Sequence, residues 1–77
     1  MTTPPKKPKP VLAHIAGTVF RVDVKVGMTV KELDAVITLE SMKMEMPVEA
    51  PAAGRISEIR VEAGQFVNEG DIVALIE

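Results

Sequence analysis

The sequence predicts an all-β domain built from two similar halves, and three observations carry that prediction. After residue 10 there is no helical window: apolar residues recur in twos, glycines punctuate the chain, and β-branched residues dominate. Sliding the chain by 37 residues lays it on itself without a gap. Ala16-Gly17 falls on Ala53-Gly54, Val24 on Val61, Gly27 on Gly64 and Val30 on Val67, while Glu32, Asp34, Val36 and Glu40 fall on Glu69, Asp71, Val73 and Glu77. Finally, alternation runs on both sides of Met42-Lys43, the mark of two antiparallel strands joined by a tight turn. Two copies in one small chain imply halves related by a pseudo-twofold axis, each giving one layer of a flattened barrel or sandwich. Val19, Val22 and Val24 are then expected to pack against Ile56, Ile59 and Val61.

Taken in order, residues 1–10 read as a Pro/Lys-rich flexible linker and residues 11–77 as the domain. Four prolines in ten positions, with lysines between them, exclude a helix or a central strand and favour extended, semi-stiff geometry. Strands are predicted over Val11–Ile15, Thr18–Val24, Ala35–Ser41, Met44–Glu49, Arg55–Val61 and Asp71–Ile76, with short pieces at Thr29–Val30 and Phe66–Val67. The five glycines fall between these runs and read as turn residues.

The hairpin is where the two copies part company. With Met42 and Lys43 as a two-residue turn, Ser41 faces Met44, Leu39 faces Met46 and Ile37 faces Val48, so the apolar residues share one face in register. The turn chemistry is wrong, because such turns need positive φ and favour Asn-Gly, Asp-Gly or Gly-X. The same register sets Glu40 opposite Glu45, a mildly unfavourable like-charge pair. Local chemistry at odds with its element marks a candidate functional site, and Lys43 is the residue such a turn displays. Glu77 ends the second copy where Glu40 ends the first, so Lys43 has no C-terminal counterpart. The hairpin tip and the chain ends are expected at opposite poles.

Composition narrows the function. A chain of 77 residues has room for one domain, and with only Phe20 and Phe66 as aromatics its core falls to Val, Ile, Leu, Met and Ala. No cysteine is present, which removes disulfides, thiolate catalysis and zinc–thiolate sites and suits a reducing compartment. From Pro10 onward six basic residues face eleven acidic ones, a net charge of −5 that argues against nucleic-acid binding. No apolar run approaches membrane-spanning length. A single histidine, His14, and no glycine-rich loop before a helix leave no catalytic set. Met42, Met44 and Met46 with His14 offer soft copper(I) ligands, but Met46 is also wanted by the core opposite Leu39.

Glu40-Ser41-Met42-Lys43-Met44 resembles the attachment motif of biotinyl domains, the carboxyl carrier modules of biotin-dependent carboxylases. The resemblance extends through Ala16-Gly17-Thr18-Val19, Gly27, Ala50-Pro51, Gly54 and Val67-Asn68-Glu69-Gly70-Asp71-Ile72-Val73, nearly the whole chain after the linker. It implies a flattened β-barrel of two four-stranded antiparallel sheets, a barrel-sandwich hybrid, with Lys43 on an exposed hairpin turn. It implies that biotin protein ligase joins biotin to Lys43 through an amide, and that Met42, Met44 and Glu40 help the ligase accept this lysine.

The function implied is that of a non-catalytic carrier: biotin on Lys43 is carboxylated by a biotin carboxylase and delivers the carboxyl group to a carboxyltransferase. The alternative is a lipoyl carrier with lipoate on Lys43, which shares the fold and the lysine position; methionine on both sides favours biotin. A third class, an unmodified barrel module of a transporter adaptor, is disfavoured by the intact Met42-Lys43-Met44. The resemblance further implies a domain that is monomeric in isolation, without membrane insertion, in the cytoplasm or, in a eukaryote, the mitochondrial matrix. Two departures stand out. His14-Ile15-Ala16 replaces a segment that carries proline in many relatives, and Leu33 replaces a frequent glycine, which bears on the turn there.

Overall fold

A computed structural model describes residues 8–77, so the linker expectation for residues 1–7 lies outside the described residues. Eight strands and no helix make up the described chain: β1 (Lys9–Leu12), β2 (Gly17–Val22), β3 (Thr29–Val30), β4 (Ala35–Ser41), β5 (Met44–Glu49), β6 (Gly54–Ile59), β7 (Phe66–Val67) and β8 (Ile72–Ile76). They form two four-stranded sheets, ordered β1-β8-β6-β3 and β5-β4-β2-β7. Every pairing is antiparallel.

The sequence repeat is a structural one. Advancing the first sheet order by four strands, with β8 returning to β4, gives the second. The hydrogen bonds that cross between the halves come in matched pairs 37 residues apart. The Gly27 N–H donates to the Ile56 carbonyl at 2.8 Å and the Gly64 N–H to the Val19 carbonyl at 2.7 Å. The Leu33 N–H reaches the Ala50 carbonyl at 2.9 Å and the Gly70 N–H the Ala13 carbonyl at 2.8 Å. Even the irregularities repeat, since β2 slips its register against β4 between Val19 and Arg21, and β6 against β8 between Ile56 and Glu58. Such bulges sharpen the twist that lets each layer curl over the other.

Four reverse turns link these strands on one plan. In Lys25–Met28, Lys31–Asp34, Glu62–Gln65 and Asn68–Asp71 the fourth N–H donates to the first carbonyl at 3.0 to 3.1 Å. The third residue of each takes positive φ, and it is Gly27, Leu33, Gly64 or Gly70. This is the type II pattern, which favours glycine at that position. Asp34 and Asp71 reinforce their turns, each carboxylate accepting from the backbone N–H three residues earlier at 2.8 Å.

The core lies between the sheets and is made of Val, Ile, Leu and Ala: Val11, Val19, Val36, Ile37, Leu39, Val48, Ile56, Val67, Val73 and Ile76 are its largest sealed side chains. Each contributes roughly 1.5–3 kcal/mol relative to exposure. Val24 and Val61 are buried with them, while Val22 and Ile59 pack at the margin, so the two expected valine and isoleucine sets do share one core. Methionine, expected to help fill it, is not among the buried residues: Met46 is half-buried, and Met28, Met42 and Met44 are exposed. The branched aliphatics suffice for a core this thin. On the outer face of β4, Thr38 is buried beneath a side-chain network. Its hydroxyl donates to Asp23 Oδ2 at 2.8 Å and accepts from Arg21 Nη2 at 3.3 Å, while Arg21 Nε pairs with Asp23 Oδ1 at 2.6 Å.

Several strand bounds differ from those expected. β1 starts at Lys9 instead of Val11, so Lys9 and Pro10, expected as linker, pair with Ile76 and Leu75. Proline is compatible with that position because β1 is an outer strand, where one N–H has no ladder partner to meet. β1, β2 and β6 also stop two or three residues early, at Leu12, Val22 and Ile59. Past β1 the Ala13 carbonyl takes up the bond from Gly70, past β2 and β6 the Asp23 and Arg60 N–H groups still reach the Val36 and Val73 carbonyls at 2.9 Å, and Val24 and Val61 stay buried, which is what their alternation encodes.

Candidate functional site

The site is the tip of the β4–β5 hairpin. Its register is the one the alternation specifies, with Ile37 opposite Val48, Leu39 opposite Met46 and Ser41 opposite Met44. Leu39, Ile37 and Val48 are sealed in the core, so a slip by one residue would turn them all to solvent. The tip is therefore firmly rooted, although among the described residues nothing covers it.

The turn is Met42-Lys43, with φ of 50° and 65°. Positive φ at both central positions is what a type I′ hairpin turn requires, and neither residue is suited to it. For a non-glycine residue this conformation costs roughly 1–2 kcal/mol. The strain persists because the paired strands on either side leave no other closure.

The two neighbours of Lys43 also face water. Met42 is 92% exposed and Met44 is 62% exposed, against a half-buried Met46 two residues further in. Among the described residues no hydrogen bond or ion pair from a side chain engages Lys43. An exposed lysine in no ion pair among the described residues, on a turn that fixes its backbone, is an accessible amine for acylation by a large partner.

Glu40 and Glu45 stand opposite one another one step below the turn, both exposed. On the other side of β4, Thr18 of β2 is the register partner of Glu40. Gly17 just before it is pressed against β4, where a Cβ atom would lie 2.8 Å from the Glu40 carbonyl oxygen. Gly17 thus braces the root of the tip, a contribution that motif spacing alone does not reveal. Its signal in the sequence is the repetition of Ala16-Gly17 as Ala53-Gly54. The structure places Glu40, Met42, Lys43 and Met44 together at the hairpin tip. No group of three or more His, Asp or Glu side chains placed to hold a metal ion occurs among the described residues.

Among the described residues the second copy shows no such tip. The pair Lys9–Ile76 occupies, across the pseudo-twofold, the place that Met46–Leu39 occupies in the first. Lys9 and Ile76 thus sit at the end of the molecule that is symmetry-related to the hairpin tip.

Comparison with known proteins agrees with this geometry. The biotin/lipoyl family model, described as "Biotin-requiring enzyme", matches residues 8–76. The chain is 41% identical over 63 residues to the biotin/lipoyl attachment protein of Bacillus subtilis, covering 82% of this chain and 86% of that one. It is 41% identical over 66 residues to the biotinylated protein TB7.3 homolog of Mycobacterium leprae, covering 86% and 93%. In structure it is similar to part of the Kluyveromyces lactis urea carboxylase, with a TM-score of 0.88 and 32% identity over 99% of this chain. It is similar to part of a single-chain, multi-domain long-chain acyl-CoA carboxylase, with a TM-score of 0.83, 29% identity and 97% of this chain covered. The chain spans 7% of each of those two enzymes. The lipoyl domain of the Azotobacter vinelandii 2-oxoglutarate dehydrogenase complex matches with a TM-score of 0.66 and 32% identity, over 80% of this chain and 78% of that one. With a two-sheet fold of matched halves, one lysine raised on the turn that breaks their symmetry, and a family model that spans every described residue but the last, the chain belongs to the biotin/lipoyl family.

Proposed function

We propose that this domain is a carboxyl carrier that holds biotin in amide linkage on Lys43 Nζ. The observation that carries the reading is the Met42-Lys43 turn: two non-glycine residues at positive φ, with Lys43 exposed between two exposed methionines. A fold that keeps this strain where Asn-Gly would relieve it has a use for the side chains themselves. When bound, biotin supplies the carboxyl-carrying chemistry through a ureido nitrogen, and the protein supplies position.

The residues divide that task. Lys43 provides the amine, and forming the amide removes its charge. Met42 and Met44 offer apolar surface on both sides of it to the ligase, and Glu40 adds a carboxylate at the base of the turn. The cross-strand pairs Leu39–Met46 and Ile37–Val48, with Leu39, Ile37 and Val48 buried, keep the tip from collapsing onto the sheet. A domain that swings on a tether holds its cargo near each reaction centre at effective concentrations of order millimolar. The Pro/Lys-rich residues 1–8 that precede β1 suit such a tether by composition. Its partners on this reading are biotin protein ligase, a biotin carboxylase and a carboxyltransferase, in keeping with the similarity to parts of two carboxylases. The setting proposed is the cytoplasm, or the mitochondrial matrix in a eukaryote.

A second reading, lipoate on the same lysine, draws on the similarity to a lipoyl domain. The cargo is decided by offering the domain biotin with biotin ligase and ATP in one arm, and lipoate with lipoate ligase and ATP in the other. Intact mass should show one biotin-sized gain in the first arm and none in the second. A gain only in the lipoate arm overturns the biotin assignment and leaves the lysine in place.

A further inference from the structure

We propose that Met42 and Met44 form an oxidation-sensitive collar around Lys43, and that converting their thioethers to sulfoxides suppresses attachment at that lysine; this rests on the attachment reading above. The starting point is where these methionines lie. Methionine ordinarily fills irregular gaps in cores, but the core here is complete without it. Met42, at 92% exposure in the turn, and Met44, at 62% at the start of β5, both face water beside Lys43. Met42 moreover holds a positive φ of 50°, so local stability does not account for it. Both thioethers are open to small oxidants, and both adjoin the lysine in sequence.

The chemistry needs a peroxide and nothing from the protein but sulfur. A sulfur lone pair attacks the nearer oxygen of hydrogen peroxide and the O–O bond breaks. The sulfur–oxygen bond forms, and the departing hydroxide takes a proton to leave as water. Sulfur gives up two electrons and the peroxide accepts them. The product is a polar, chiral side chain in place of a flexible apolar one, and methionine sulfoxide reductases reverse the change. A partner surface shaped to receive apolar methionine must then strip water from an S–O dipole with no matching donor, a penalty that corresponds to a rate loss of at least about tenfold. The fold has no stake in the exchange, because neither side chain is part of the core. Met46, half-buried behind Leu39, should react more slowly. Met28 is a third exposed methionine, in the Lys25–Met28 turn, and serves as an internal control.

In the test, the protein is treated with hydrogen peroxide, the excess is removed with catalase, and sulfoxides are located by peptide mass mapping. The initial rate of biotin-sized mass gain is then measured with biotin ligase, biotin and ATP. Met42 and Met44 should oxidise ahead of Met46. The rate should fall at least about tenfold with an unchanged melting curve, and methionine sulfoxide reductase should restore it. The same loss should appear in Met28→Leu. An oxidised domain that gains biotin at the untreated rate overturns the proposal. So does a loss that the reductase does not reverse, or one that disappears in Met28→Leu. If the untreated protein gains nothing, the attachment reading itself fails and the switch goes with it. Normal gain before oxidation with unchanged gain after it sinks the switch alone.

Discussion

Three residues other than glycine hold positive φ among the described residues, and they differ in what the strain is for. Leu33, at 76°, lies in the Lys31–Asp34 turn, and Gly70 takes φ of 90° at the same place in the second copy. Its side chain is two-thirds exposed, so little packing offsets the conformational cost. Leu33→Gly should therefore raise stability by about 0.5–1 kcal/mol, the relief of left-handed strain less the added entropy of the unfolded chain. An unchanged or lowered urea midpoint would show that Leu33 makes a compensating contact. Met42 and Lys43 pose the same local problem with a different outcome. Met42→Asn combined with Lys43→Gly should raise stability by about 1–2 kcal/mol, because it installs the favoured type I′ pair, and it should abolish modification. Equilibrium unfolding and intact mass on that one variant separate the two effects, and a less stable variant would contradict the strain reading. At this scale the sequence was candid about the site. Met-Lys in a tight turn and Glu40 opposite Glu45 are mismatches written in the sequence itself, and Leu33 stands 37 residues before Gly70.

At the scale of elements, hairpin register is the legible part. Alternation on β4 and β5 specifies every pair from Ile37–Val48 to Ser41–Met44, because only one register buries Ile37, Leu39 and Val48 together. Strand ends were harder to read. Lys9 and Pro10 have linker composition, and only their position beside β8 makes them strand. Proline again marks the outer strand at Pro47 of β5, 37 residues after Pro10 of β1. These prolines leave one N–H fewer on each outer strand, which discourages pairing with another chain. Close approach between strands was legible only as the repeated Ala-Gly. At Gly54 an added Cβ would overlap the Ile76 Cγ2 atom and lie 2.5 Å from the Glu77 carbonyl oxygen. Backbone cannot yield there as a side chain can, so Gly54→Ala should cost about 2–3 kcal/mol. Gly27→Ala meets open space and pays only for its φ of 92°, at about 1 kcal/mol. Urea midpoints for the pair test this, and equal losses would contradict it.

The whole molecule follows from duplication with one difference. Two copies bury their aliphatic faces against each other and exchange matched backbone bonds across the interface, such as Gly27 to Ile56 and Gly64 to Val19. The 37-residue repeat made that architecture readable, because paired halves of one small chain have few ways to share a core. The network of Thr38, Asp23 and Arg21 was not readable, since it joins side chains distant in sequence on a face that alternation assigns to solvent. The hairpin tip draws its shape from the whole fold, as Gly17 and the sealed strand pairs hold it up. A peptide copied from residues 40–46 lacks all of that. It should be modified by biotin ligase at least about a hundredfold more slowly than the folded domain, the scale of loss expected when a reacting group is no longer held in position. Comparable rates would show that the motif alone suffices.

The most direct test of Lys43 as the attachment point is residue-level mass mapping of the domain after exposure to biotin ligase, biotin and ATP, with Lys43→Arg alongside. A single biotin is predicted, on Lys43, with no mass gain in the arginine variant although it folds and melts as the parent does. Biotin on Lys9, Lys25 or Lys31, or an undiminished gain in Lys43→Arg, would contradict the assignment.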